Sequence, residues 1–292
     1  MFAALGGAGG CETYLQFIDT PEEMAEFDKG IIEYCEKYDL DGIDLDIELG
    51  SYHQIWSYYE NWCSDLRELC DEHDLKMSTA TAHWVAEKVS PETFAKFDFV
   101  NVMAYDNDED ESSHSTYEYA VECLSYFHDE KKIPSEKLVL GVPFYGRGYN
   151  ERGELDWDSY ESFADLVGKD DKNYSRDLYN GIAYNGAETM SKKSLLGAEY
   201  GGIMIWELTQ DAKGERSLLK VINETLGTDS FIAGDANADG TFDTADLVSL
   251  SRYLLGRNDS GLKNSEAADL CKDGVLDIFD MIAMRKLILK QQ

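Results

Sequence analysis

Proline, basic residues and histidine are all scarce in this chain of 292 residues, and each shortage removes a class of protein. Only 4 prolines beside 43% hydrophobic residues exclude a proline-rich linker or a disordered chain, and leave enough apolar material for a sizeable core. Lys and Arg number 26 against 58 Asp and Glu, a net charge of −32. A field of that sign repels nucleic acid and anionic membranes and favours a neutral substrate such as an uncharged polysaccharide. No apolar run is long enough to cross a membrane. The six cysteines, Cys11, Cys35, Cys63, Cys70, Cys123 and Cys271, form no CxxC pair, so they read as mostly buried thiols rather than disulfides, with no zinc site. The five histidines lack HxxxH spacing; His83, at the end of a strand-like run near the expected cleft, reads as a packing or surface residue.

What is present is acid in one particular pattern. In the run Asp41-Gly42-Ile43-Asp44-Leu45-Asp46-Ile47-Glu48, three carboxylates occupy every second position of an apolar segment. Alternate residues of an extended strand share a face, so Asp44, Asp46 and Glu48 project together while Ile43, Leu45 and Ile47 project the other way. A solvated edge strand is the plain alternative, but edges usually carry Lys or mixed charge rather than acids backed by bulky aliphatics. Neighbouring carboxylates do not all ionise cheaply, so at least one holds a proton near neutral pH and can serve as a general acid. Cleavage of a glycosidic bond is the natural use of such a group.

Short apolar runs recur at residues 42–47, 75–82, 98–104, 137–142 and 202–206, with amphipathic stretches such as Pro21 to Tyr38 and Tyr58 to His73 between them. That alternation predicts an α/β fold, a parallel sheet with helices outside it. Active residues of parallel barrels sit at the carboxyl ends of strands, where Glu48, Tyr105, Asp106, Tyr145 and Trp206 all fall.

The acidic octapeptide resembles the DGxDxDxE signature of glycoside hydrolase family 18, the chitinases and their relatives, which have (β/α)8 barrels. Four further segments resemble that family in order. Leu5-Gly6-Gly7 is similar to the end of its third strand, and the run Phe99 to Asp106, with Met103-Ala104-Tyr105-Asp106, to its sixth. Leu138 to Arg147 is similar to its seventh strand and Gly201 to Leu208 to its eighth. The first strand-like run, Phe2 to Leu5, thus already matches the third strand, and the fold expected is an incomplete TIM barrel lacking its first two βα units. The chain then reads as truncated or as starting downstream of its true beginning, and Met1-Phe2-Ala3-Ala4 does not read as a signal peptide.

The resemblance implies hydrolysis of β-1,4-linked N-acetylglucosamine glycans by a substrate-assisted retaining mechanism with no catalytic cofactor. It makes Glu48 the proton donor, Asp46 the residue that orients the substrate acetamido group, Asp44 its proton-sharing partner, and Tyr105 a donor to the acetamido group. Trp206 would floor the sugar site, with Met103, Asp106, Tyr145 and Arg147 as substrate contacts. Endo-β-N-acetylglucosaminidase action on N-glycans and non-catalytic carbohydrate binding are the alternatives. Two departures stand out: Ala4 where the third-strand motif has Ser, and no counterpart of the first-strand aromatic. A Tyr- and Asp-rich insertion around 148–198, including Trp157 and Tyr160, is expected to wall the cleft.

The chain after residue 226 is different. Residues 231–292 hold 10 acids and 7 bases, so nearly all the net charge lies before them. Asp235, Asn237, Asp239, Gly240, Thr241, Asp243 and Asp246 occupy positions 1, 3, 5, 6, 7, 9 and 12 of a calcium loop, and an apolar helix, Leu247 to Leu255, follows. A second copy starts 34 residues later with Asp269, Cys271, Asp273, Gly274, Val275, Asp277 and Asp280, followed by Met281 to Leu289. The tandem resembles a type I dockerin, an all-α module of two EF-hand-like repeats. This implies structural calcium, a cohesin module of a scaffoldin as partner, and a secreted enzyme of an extracellular cellulosome. In the second loop Cys271 is a poor ligand for a hard cation. Thr244-Ala245 and Ile278-Phe279 occupy the pairs that set cohesin choice. The expected organisation is a catalytic domain over 1–226, a linker over 227–232 and the dockerin over 233–292.

Overall fold

The computed structural model describes residues 1–11, 20–50, 54–107, 114–150, 152, 154–227, 232–257 and 260–290. The chain divides into two compact units, Met1–Leu226 and Gly227–Gln292. Residues 228–231, most of the expected linker, lie outside the described residues.

In the first unit, β1 (Phe2–Gly6), β2 (Gly42–Asp46), β3 (Lys76–Thr81), β4 (Phe99–Val102), β5 (Leu138–Pro143) and β10 (Gly202–Trp206) form one six-stranded sheet in that order. Every neighbouring pair is parallel, as in part of a barrel wall. The helix Pro21–Tyr38 starts where the Thr20 side chain accepts from the Glu23 amide and stops where Asp39 turns left-handed at φ 53°. The helix Tyr59–Glu72 buries Tyr59, Trp62, Cys63, Leu66 and Cys70, one stripe at helical spacing. Ile43, Leu45 and Ile47 are buried beneath β2, as the alternation requires. The cysteines are unpaired; five are buried and Cys271 is exposed.

The insertion differs from its expected limits. A second, antiparallel sheet, β6 (Tyr145–Tyr149), β7 (Leu155–Ser162), β8 (Leu178–Tyr179) and β9 (Ile182–Ala183), runs in the order β7-β6-β9-β8. It begins at Tyr145, within the segment that reads as the end of the seventh strand. The helix Ala187–Ala198 is not part of it. That helix packs on the main sheet, where Gly197 lies so close to Ile203 that a Cβ would stand 2.4 Å from a methyl carbon of that residue.

In the second unit the helices Thr244–Leu254 and Ile278–Lys290 each start three residues earlier than the apolar pattern suggests. The cause is the loop itself, since the carboxylate at position 9 caps the helix: Asp243 accepts from the Ala245 amide and Asp277 from the Phe279 amide. Ala236, Leu250, Ala268 and Met284 form the core of this unit.

Candidate active site

The residues that flank the acids of β2 are small. Asp44 pairs in register with Ala4 and Ser78, and Asp46 with Gly6 and Ala80. These short side chains leave room for carboxyl groups that share their face. Asp44 accepts from the Ser78 hydroxyl at 2.5 Å and from the Asn101 amide at 3.1 Å. Ala4 offers it nothing from β1, so its support comes from the β3 and β4 side. Asp46 is 9% exposed, and its Oδ1 is buried with no hydrogen-bond partner among the described residues. Glu48 lies beyond the strand end and lines a cleft of about 610 Å³.

Electrostatics follow from this packing. Burial, then the charges of Glu48 and Asp44, push Asp46 up to about 7. Burial also raises Asp44, against the hydrogen bonds from Ser78 and Asn101. Glu48 is raised by burial and then by the charge of Asp106. All three carboxyls are thus shifted towards their protonated forms, Asp46 into the neutral range, and the acids titrate as a coupled set.

Tyr105 and Asp106 extend from the end of β4 into the same cleft. Burial and the surrounding carboxylates hold the Tyr105 phenol well above its ordinary value, so it stays a donor. Asp106 has φ 54° and accepts from the Tyr145 hydroxyl at 2.9 Å and from Arg147 Nε at 3.3 Å. Burial would raise it, but the adjacent His114, the Arg147 charge and the Tyr145 hydroxyl prevail and keep it below the usual carboxylate range.

The expected substrate contacts separate into two groups. Met103 and Asp106 line the cleft, and Trp206, at the end of β10, is 48% exposed. Tyr145 and Arg147 are instead 2% and 7% exposed. The Tyr145 and Tyr160 rings stack at 4.7 Å, and the Arg147 guanidinium packs beside the pair, 5.6 Å from the first ring centroid and 4.8 Å from the second. They brace Asp106 more than they face the cleft. Tyr160 belongs to the second sheet, but no described residue of that sheet lines the cleft of Glu48; the side chain of Trp157 lies outside the described part.

Several residues of the site carry no signature in the sequence. His83 and Trp84, just past β3, line the cleft, and the His83 ring packs 4.0 Å from that of Tyr126. Position alone was the available signal, because both follow a strand's carboxyl end. Ser78, Asn101 and His114 are unremarkable until their partners are known.

In the second unit the two loops repeat one hydrogen-bond pattern. The amides of Asp239 and Gly240 donate to Asp235, and those of Asp273 and Gly274 to Asp269. Asn237 and Asp243 donate to Asp246 as Cys271 and Asp277 do to Asp280. Left-handed residues recur in step, Ala238 with Lys272 and Gly240 with Gly274.

The sequence profile of glycosyl hydrolases family 18 matches residues 1–211, and that of the dockerin type I domain matches residues 233–289. Probable chitinase 10 of Drosophila melanogaster is 25% identical over 296 residues, covering 76% of this chain and 13% of that protein. Chitinase A1 of Niallia circulans is 26% identical over 276 residues, covering 69% of this chain and 39% of that protein. The chain spans between 13% and 55% of the length of the first curated relatives it matches. Among solved structures, a family 18 chitinase of Flavobacterium johnsoniae superposes with a TM-score of 0.66 at 30% identity, covering 76% of this chain and 72% of that one.

Proposed function

The chain belongs to glycosyl hydrolases family 18, and from that premise we propose that its first unit hydrolyses β-1,4-linked N-acetylglucosamine glycans with retention of configuration. The observation that carries this reading is the placement of Glu48. Of the three alternating acids it alone lines the cleft, and burial and then the charge of Asp106 raise its pKa, which favours the protonated form a donor needs.

In the first step the Glu48 proton passes to the glycosidic oxygen as that bond breaks, while the sugar's own acetamido oxygen bonds to the anomeric carbon. Asp46 is placed to orient the acetamido group and to balance the positive charge of the oxazolinium that results. Asp44, anchored by Ser78 and Asn101, adds to burial and the Glu48 charge in raising Asp46, and a proton is shared between the two aspartates. The Tyr105 phenol supplies a donor for the acetamido oxygen. In the second step the Glu48 carboxylate takes a proton from water, whose oxygen attacks the anomeric carbon and restores the acetamide. Trp206 offers its exposed ring to the apolar face of a sugar. The charge of the chain suits an uncharged glycan.

Proton NMR of the first product from chitohexaose tests this reading. The β-anomer is expected before mutarotation; an α-anomer would contradict the mechanism, and release of N-glycans from a high-mannose glycoprotein instead would reassign the substrate.

The second unit would hold calcium through Asp235, Asn237, Asp239, Thr241, Asp243 and Asp246, and through Asp269, Asp273, Val275, Asp277 and Asp280. These are hard oxygen donors on loops with glycine at the turn, the chemistry calcium selects. No group of three or more acidic, His or Cys side chains stands preformed as a metal cage among the described residues. Cys271 weakens the donor set of the second loop. A cohesin is the partner we propose, outside the cell. The pairs offered to it differ: exposed Ile278 and Phe279 on one helix start, exposed Thr244 and Ala245 on the other.

A further inference from the structure

Lys193 is a long cationic side chain with no exposure at all, on the buried face of the helix Ala187–Ala198. A buried ammonium needs a specific reason to be there. Its Nζ donates to the Ser115 carbonyl at 2.9 Å, to the Ser115 hydroxyl at 2.7 Å and to Asn185 Oδ1 at 2.8 Å. Asn185 in turn donates to the same Ser115 carbonyl at 2.7 Å. Two side chains thus converge on one residue from 78 and 70 positions away in sequence.

Ser115 passes this constraint to the active site. Its hydroxyl donates to the carbonyl of Ala104, the residue before Tyr105, at 2.7 Å. The neighbouring His114 is fully buried, and it binds the other side of the same strand end. Its carbonyl accepts from the Asn107 amide at 3.0 Å and its Nδ1 from the Asp106 amide at 3.3 Å. The segment Ala104 to Asn107 is therefore pinned at three points, Ala104, Asp106 and Asn107, by Ser115 and His114.

We propose that Lys193, Asn185, Ser115 and His114 form a buried clamp whose work is to hold the left-handed Asp106 in the cleft that it lines together with Glu48. They are positioning residues for the general acid. The charge of Asp106 is what raises Glu48 beyond the effect of burial, so a displaced Asp106 lets the acid lose its proton at lower pH. The groups that bear on these residues are few. Asp106 is faced by His114, Arg147 and Tyr145, Glu48 by Asp106 and Asp46, and Lys193 by Cys123, Asp177 and Glu118. Burial pushes Lys193 down to about 7 and also lowers His114.

The inference rests on the reading above only in naming Glu48 the acid, and its test does not need turnover. Carbon-13 NMR of the whole chain, labelled at glutamate carboxyls, follows the Glu48 titration; its resonance is assigned by its loss in Glu48→Gln. Ser115→Ala removes the bridging hydroxyl and leaves every charge in place. In a folded Ser115→Ala chain the Glu48 midpoint should fall by about half a pH unit or more, and Ser115→Thr should restore it. Lys193→Met should move it the same way, although loss of a cation by itself would move it up. An unchanged or raised midpoint in Ser115→Ala overturns the clamp. A parent chain that titrates as expected but cleaves no chito-oligosaccharide would overturn the proposed hydrolysis and leave the clamp standing.

Discussion

Trp62 donates its indole N–H to Asp28 at 2.8 Å, joining two helices on the outer face of the sheet. The Asp28 carboxyl is 2% exposed, and burial, opposed only by that hydrogen bond, lifts it to about 6. A carboxyl whose pKa rises on folding stabilises the fold while protonated, and that contribution is lost as pH climbs from its unfolded value of 3.8 through about 6. Asp28→Asn keeps the acceptor and removes the charge. It should stabilise the protein at pH 7.5 by about 2 kcal/mol and leave it nearly unchanged near pH 4, read from denaturant melts. Destabilisation at pH 7.5 would contradict this. Asp44, Asp46 and Glu48 were legible in the sequence because a strand's period of two turns spacing into geometry. Their partners were not: Ser78 reaches Asp44, and Lys193 reaches Ser115, only once separate elements are packed. Likewise nothing in the local sequence says that Tyr145 and Arg147 turn inward to brace Asp106.

Gly6 ends β1 with φ 126°, a backbone region that side chains rarely adopt, and a Cβ there would stand 1.8 Å from the Asp46 carbonyl oxygen. The strand that bears the acids can approach β1 this closely only beside glycine. Gly6→Ala should therefore lower stability by roughly 2 kcal/mol or more, with loss of activity at temperatures where the variant stays folded. A variant as stable and active as the parent would show that β2 does not depend on this contact. Gly141 plays a similar part on β5, where a Cβ would press on Tyr105 and Met204. At this scale the sequence spoke well where periodicity was strong, as in Pro21–Tyr38. It spoke poorly where one apolar run serves two sheets: β5 leads at once into β6, so the second sheet starts inside an apparent single strand.

The two units carry different physics. The first holds almost all of the net charge and a large core beneath six parallel strands; the second has a small core and two loops of acids. A unit that small gains most from a bound ion, because a ligand taken only by the folded state stabilises it. Calcium added to the chelated whole chain should raise the melting transition of residues 233–292, and Asp235→Ala should remove more of that shift than Asp269→Ala, since a thiol at position 3 of the second loop is a poor ligand for a hard cation. No shift would contradict the calcium reading. Domain order and both site signatures were visible in the sequence because each is local, whereas the second sheet and the hydrogen bonds behind Asp106 are products of the assembled fold. The account turns on one proton donor. The direct measurement is mass spectrometry of chitohexaose after incubation with the parent chain and with Glu48→Gln: shorter oligosaccharides from the parent alone are predicted, and equal products from both, or none from a folded parent, would contradict it.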